Sequence, residues 1–288
     1  MINTLSGTLP SGSYSLIKCS GTFTGTVENF KIEGISGLPM ILKIEDNTLM
    51  LVVNASRAVG KITWTGFESS NWDFISENFS LNETPTFFVT GDSVLVNDNA
   101  INKTIIANDN LKPGNTTFQN AASTITLKGT GGVSGTGNFV KTGHGLLNIE
   151  TIKNDYTGKT IFENAVVQIA ALSDAGFPGS LGMATVSPAN FTMNNSRLIV
   201  NAVTTNTNRG LTIAGNDTIN VPKSNGVVSI SGVITGTGKL VKNGPGQLNL
   251  SSGSANTYSG GTYISGGTLA LGSLVMNKSG LGSGPITI

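Results

Sequence analysis

The sequence predicts an all-β solenoid, and three observations carry that reading. Helical periodicity is nearly absent: no long segment places apolar residues at i, i+3, i+4 and i+7. Runs of three to six strand-forming residues recur along the chain, with Gly, Asn, Asp, Ser or Pro in almost every gap. Finally, a sixteen-residue block occurs twice, as "SGTGNFVKTGHGLLNI" (134–149) and "TGTGKLVKNGPGQLNL" (235–250), 101 residues apart and identical at nine positions. Short strands alone suit a sandwich, a barrel or a solenoid; an internal repeat selects the solenoid.

The elements follow in order. Residues 1–57 hold "LPSGSYSLIKCSGTFTGTVENFKIEGISG" and "TLMLVV", short strands and turns that read as the end of a preceding β-repeat unit. Residues 58–122 open the next unit with "ITWTGFESSNWDFISENFSLNETPTFFVTGDSVLVND" (62–98), which holds both tryptophans, Trp64 and Trp72. The polar stretch 97–122 reads as poor in strands. Residues 123–288 carry the densest strand signals: "ITL" at 125–127, "LLNI" at 146–149, "TIF" at 160–162, "VVQIA" at 166–170, "RLIV" at 197–200, "VVSI" at 227–230, "QLNL" at 247–250 and "TLAL" at 268–271. Apolar residues alternate in these runs, so Leu248 and Leu250 face inward and Asn249 outward.

Similarity continues beyond the paired blocks. "NDYTGKTIFENAVVQIA" (154–170) matches "NTYSGGTYISGGTLALG" (256–272) after a one-residue shift, and "SLGMATV" (180–186) echoes "GLGSGPITI" (280–288). The two copies therefore span about 134–186 and 235–288. The second breaks off in mid-pattern, so the sequence reads as a segment of a longer array.

Composition narrows the function classes. Charged residues are 11% of the 288, the net charge is +1, and arginine occurs only at Arg57, Arg197 and Arg209. No sign of charge dominates, which excludes a nucleic-acid or anionic-membrane footprint. The one cysteine, Cys19, reads as a small buried hydrophobe. With one cysteine and one histidine, His144, the chain cannot supply a standard zinc site, and any Ser–His or Cys–His arrangement would have to use His144. The longest apolar run, "AVVQIAAL" at 165–172, is far short of the ~20 residues that span a bilayer. No cofactor or metal is expected.

Each candidate site has a competing structural role. The glycine blocks lack the spacing and the following helix of a phosphate loop, so they read as turns at coil corners. "GNDTI" (215–219) resembles one calcium nonapeptide, but such sites need tandem copies. Asp92, Asp98, Asp109, Asp155, Asp174 and Asp217 are scattered, without the paired acids of a glycosidase. Trp64 and Trp72 are the candidates for stacking on a glycan, with burial in the core as the competing role. Lys141 and Lys242 recur at equivalent places and read as outward residues that keep strand edges soluble.

Together these residues resemble the autotransporter-associated β-strand repeat, also called the passenger-associated transport repeat. In the second copy Gly236, Gly238, Leu240, Lys242, Gly244, Gly246, Leu248, Leu250, Asn256, Tyr258, Gly260, Thr262, Gly267, Leu269 and Leu271 fit its pattern. In the first copy Gly135, Gly137, Lys141, Gly143, Gly145, Tyr156, Gly158 and Thr160 fit, with Phe139 and Val167 in place of leucines. The resemblance implies a right-handed parallel β-helix of the single-stranded pectin-lyase-like architecture. It implies a structural stalk in a large secreted or surface-anchored bacterial protein, supporting export and adhesion, without enzymatic activity. Its partners would be adjoining β-helix segments of the parent chain, and host or environmental surface glycans or proteins. The segment itself would contact neither membrane nor nucleic acid. The alternative reading is a carbohydrate-binding or polysaccharide-degrading β-helix protein.

Overall fold

The computed structural model describes residues 12–27, 30, 40–53, 57–150, 153–272 and 280–288. From residue 57 onward the chain winds as a parallel β-solenoid of about eight turns. Each turn passes three sides. The first carries Lys61–Trp64, Ser93–Asn97, Asn115–Gln119, Phe139–Thr142, Thr160–Glu163, Phe191–Asn194, Leu211–Ile213 and Ile234–Gly236. The second carries Thr104–Ile106, Ile125–Lys128, Leu146–Ile149, Val166–Ile169, Arg197–Val200, Asn216–Asn220, Lys239–Asn243, Thr262–Ile264 and Ile286–Thr287. The third is less regular. It pairs Asn110–Leu111 with Gly132–Val133, and later stacks Thr204–Thr207, Val227–Ile230, Gln247–Leu250 and Thr268–Leu271.

Period-two alternation fills the interior. On the first side Val96, Phe118, Lys141, Phe162, Met193 and Ile213 stand one above another. On the second, Ile125, Leu147, Val167, Leu198, Ile219, Lys242 and Ile264 do the same. Burying each large apolar side chain contributes about 1.5–3 kcal/mol, and since a coil touches only its neighbours these terms add along the rod.

The start of the rod is closed differently. Lys61–Trp64 pairs in parallel with the next coil on one edge and antiparallel with Phe79–Leu81 on the other, which pairs in turn with Thr84–Thr86. Trp64, Trp72, Phe79 and Phe88 pack edge to face beneath this hairpin, with centroids 5.2–5.9 Å apart in the T-shaped pairs. Arg57 fixes the same end. Its guanidinium donates to both Asp92 carboxylate oxygens at 2.9 and 2.5 Å and to Phe87 O at 2.6 Å.

The described part of 1–57 is a three-stranded antiparallel sheet, with Thr48–Val53 between Gly12–Lys18 and Met40–Glu45. One sequence expectation changes here. The stretch 97–122 holds three strands, including Asn115–Gln119 in the middle of the first side. Its inward residues are Thr116 and Phe118, so its apolar alternation is too thin to read.

Candidate functional site: the buried polar corners of the repeats

The two lysines are not on the surface. Lys141 and Lys242 are 0% exposed. Each points inward two residues beyond an apolar core residue, Phe139 and Leu240, as strand alternation requires. The Lys141 rung lies between those of Phe118 and Phe162, and the Lys242 rung between those of Ile219 and Ile264. Each ammonium reaches the corner that follows its strand. Lys141 Nζ donates to Asn120 O (3.2 Å), Thr142 O (2.6 Å) and Gly143 O (2.5 Å). Lys242 Nζ donates to Asn243 O (3.0 Å), Gly244 O (2.8 Å) and Gly266 O (2.9 Å). Each lysine therefore ties its own corner to a neighbouring coil, Lys141 to the one before and Lys242 to the one after. The expected outward, solubilising role is overturned. In each corner the three ammonium donors meet three carbonyls, so the buried charge has its hydrogen-bonding capacity filled. Burial pulls the Lys141 ammonium down to about 8, against a smaller upward pull from the charge of Asp98. Burial lowers Lys242 as well.

The glycines around these corners fall into two kinds. Gly143 and Gly244 have φ of 81° and 82°, the left-handed region that favours glycine. Gly158 and Gly260 are needed for close approach: a Cβ would come within 2.1 Å of Gly137 O in the first copy and 2.5 Å of Gly238 O in the second. Turn conformation alone therefore does not explain the glycine pattern; stacked corners must also touch backbone to backbone.

Asn154 and Asn256 form the next corner. Asn154 Oδ1 accepts from Val133 N (2.9 Å) in the coil before, and its Nδ2 donates to Ser180 O (3.3 Å) in the coil after. Asn256 repeats this with Ile234 N (2.8 Å) and Gly280 O (2.7 Å). These asparagine contacts between coils run from side chain to backbone. An amide-to-amide rung occurs where Gln168 Nε2 donates to Asn148 Oδ1 at 3.2 Å. Beside each asparagine a buried tyrosine bonds a threonine four residues on: Tyr156 Oη to Thr160 Oγ1 at 2.8 Å, and Tyr258 Oη to Thr262 Oγ1 at 2.6 Å. Burial pushes both phenols up.

The copies are turned relative to one another. Phe139 on the first side is followed there by Thr160, Phe191, Leu211 and Ile234, four rungs later. Its repeat counterpart, Leu240, lies one strand beyond Ile234, on the second side. The 101-residue interval is therefore four coils plus one side. Lys141 and Lys242 sit on different sides of the rod, each with a complete set of corner bonds.

The remaining candidates have structural work. Trp64 and Trp72 are 1% and 0% exposed, so neither ring face is open to a sugar; this corrects the glycan-stacking candidates. Asp98 accepts from Ala121 N, Ser123 N and Ser123 Oγ, and the Ser123 hydroxyl is the main reason its carboxyl lies well below the usual range. Asp217, in the calcium-like "GNDTI", is buried and accepts from Ser196 N, Ala214 N and Gly215 N. Asp174 accepts from Asn208 N at 2.8 Å. Asp109 is exposed and Asp155 half-buried. Asp73, missed in the sequence, is close enough to raise Asp109, after partial desolvation as the larger cause. Its own oxygens accept from Ile75 N, Ser76 N and Ser76 Oγ, so it is committed to its turn. His144 is exposed at a corner tip, and Cys19 is only half-buried. Among the described residues, no group of three or more His, Cys, Asp or Glu side chains could hold a metal ion.

Comparison with known proteins agrees with this architecture. The model of the Passenger-associated-transport-repeat family matches residues 240–271, within the second copy. Adhesin BmaC autotransporter of Brucella suis is 36% identical over 146 residues, which is 50% of this chain and 4% of that protein. The chain therefore spans a small fraction of the length of the curated relative it matches. No solved structure matches it. Residues 240–271 thus match the passenger-associated transport repeat, and half of the chain is similar to part of an autotransporter adhesin.

Proposed function

We propose that this chain is a stalk segment in the passenger of a large bacterial surface or secreted protein, serving export and adhesion as a scaffold rather than as a catalyst. The single observation that carries the reading is the pair of buried lysine corners, each bonded to a neighbouring coil. Such corners make each coil a template for the next, which suits a chain that folds progressively as it emerges. The likeness to a protein named as an adhesin autotransporter supports the surface location. The committed hydrogen bonds of Asp92, Asp98, Asp174 and Asp217 support a scaffold over a hydrolase. The test is antibody labelling of bacteria that make the parent protein, with and without external protease. The stalk reading predicts labelling of intact cells that protease removes. Labelling only after lysis would overturn it.

A further inference from the structure

The chain holds two asparagine–glycine pairs, Asn225–Gly226 and Asn243–Gly244. In such a pair the glycine leaves the backbone free to bring its own nitrogen against the asparagine side chain. The fold treats the two differently. At Asn225, in an exposed turn, the following nitrogen is engaged elsewhere: Gly226 N donates to Lys223 O at 2.8 Å. At Asn243 the following nitrogen faces the side chain itself: Gly244 N donates to Asn243 Oδ1 at 2.5 Å. With a carbonyl bond of about 1.23 Å, Asn243 Cγ then lies within about 3.7 Å of that nitrogen, close to the roughly 3–3.5 Å of a near-attack geometry.

The peptide unit that joins Asn243 to Gly244 is also polarised. Its carbonyl, Asn243 O, accepts from Lys242 Nζ at 3.0 Å and from Val221 N at 3.0 Å. When Gly244 N loses its proton, negative charge spreads onto that oxygen, where a buried ammonium and a backbone N–H already point. Lys242 is fixed in place by its bonds to Gly244 O and Gly266 O, at 2.8 and 2.9 Å. Asn243 is only half-buried, so water reaches it. The first copy supplies the contrast. Lys141 Nζ donates to Thr142 O at 2.6 Å and Gly143 has a φ of 81°, but the residue between them is a threonine, with no amide to lose.

We propose that Asn243 is a site of self-catalysed deamidation, promoted by the corner that Lys242 holds. Hydroxide takes the Gly244 N–H proton, and the nitrogen forms a bond to Asn243 Cγ. The Cγ–Nδ2 bond breaks, and the leaving nitrogen takes a proton from water and departs as ammonia, which regenerates the hydroxide. The five-membered imide then adds one water. Opening at Cγ gives aspartate. Opening at the main-chain carbonyl gives isoaspartate, whose backbone runs through the side chain and is longer by a methylene. Isoaspartate displaces the carbonyls that Lys242 fastens, so this joint between coils loosens with age while the Lys141 joint does not. The reaction needs only the folded corner and is independent of export or adhesion.

The test is incubation of the folded full chain at mildly alkaline pH in heavy-oxygen water, followed by peptide mass mapping of both asparagine–glycine pairs. Asn243 should take up label about tenfold faster than Asn225, or more, as added donors at a developing oxyanion require. In urea, where only local sequence remains, the two rates should converge. Lys242→Met should slow Asn243 by about tenfold and leave Asn225 unchanged. Thr142→Asn keeps both lysines and should create a second converting position, because Lys141 already holds that carbonyl. The proposal is overturned if Asn225 converts as fast as Asn243 in the folded chain, or if the difference persists in urea. It is also overturned if Lys242→Met leaves the difference intact, or if Thr142→Asn creates no converting position.

Discussion

The ammonium of Lys242 lies 2.9 Å from the carbonyl oxygen of Gly266, twenty-four residues on and one coil further along the rod. A lysine placed in an apolar column thus serves as the fastener between two turns of backbone. Replacing it with methionine keeps the stem and removes the donor. Lys242→Met should leave the carbonyls of Asn243, Gly244 and Gly266 without their shared partner and cost about 1–3 kcal/mol. Hydrogen exchange is the suitable readout, since a solenoid can open locally. Protection should fall first at 239–268 and persist near Phe118.

The tyrosine–threonine pairs should behave alike in the two copies although they lie on different sides of the rod. Tyr156→Phe and Tyr258→Phe each remove one buried hydrogen bond, of 2.8 and 2.6 Å. Each should cost about 1 kcal/mol by denaturant unfolding. A large difference between them would mean that the copies are not equivalent clamps.

Lys141 gives the fold a signed response to pH. Its folded value is about 8, below the ordinary lysine value of 10.5. Between those values the unfolded chain binds more protons than the folded one, so stability should rise as pH rises from 8 toward 10.5. The neutral amine keeps two N–H donors for the corner, so the fastener survives the titration. Lys141→Met should flatten this part of the stability curve, measured by denaturant midpoint against pH.

Two glycine substitutions separate close approach from turn strain. Gly158→Ala would drive a methyl to within 2.1 Å of Gly137 O and should cost about 3 kcal/mol or more, because stacked backbones must part. Gly176→Ala meets nothing within 4 Å and bears only the strain of its φ of 80°, about 1–2 kcal/mol. Thermal unfolding of the two variants orders them.

Much of this was legible in the sequence. The strands at 146–149, 166–170 and 247–250 follow from alternation, and the repeat pointed to stacked coils. The inward lysines were legible too, because Lys141 and Lys242 stand two residues from Phe139 and Leu240, and period two puts each pair on one face. Polarity hid this: a lysine reads as solvated until the corner carbonyls that receive it are seen. The strand at 115–119 was hidden by its inward Thr116. The offset between copies could not be read from 101 residues, since one coil, from Thr160 to Phe191, is longer than its neighbours and an interval does not count sides.

The stack of parallel coils, with the second repeat turned by one side, is tested most directly by disulfide trapping in a Cys19→Ser background. Thr218 and Val241 are half-buried partners on adjacent rungs of the second side, at a strand spacing of ~4.8 Å that a disulfide can span. Thr218→Cys with Val241→Cys should cross-link rapidly under mild oxidation, and Thr212→Cys with Val241→Cys should not, because Thr212 lies on the first side. Rapid cross-linking of the Thr212 pair, with none in the Thr218 pair, would put both repeats on the same side and contradict the account.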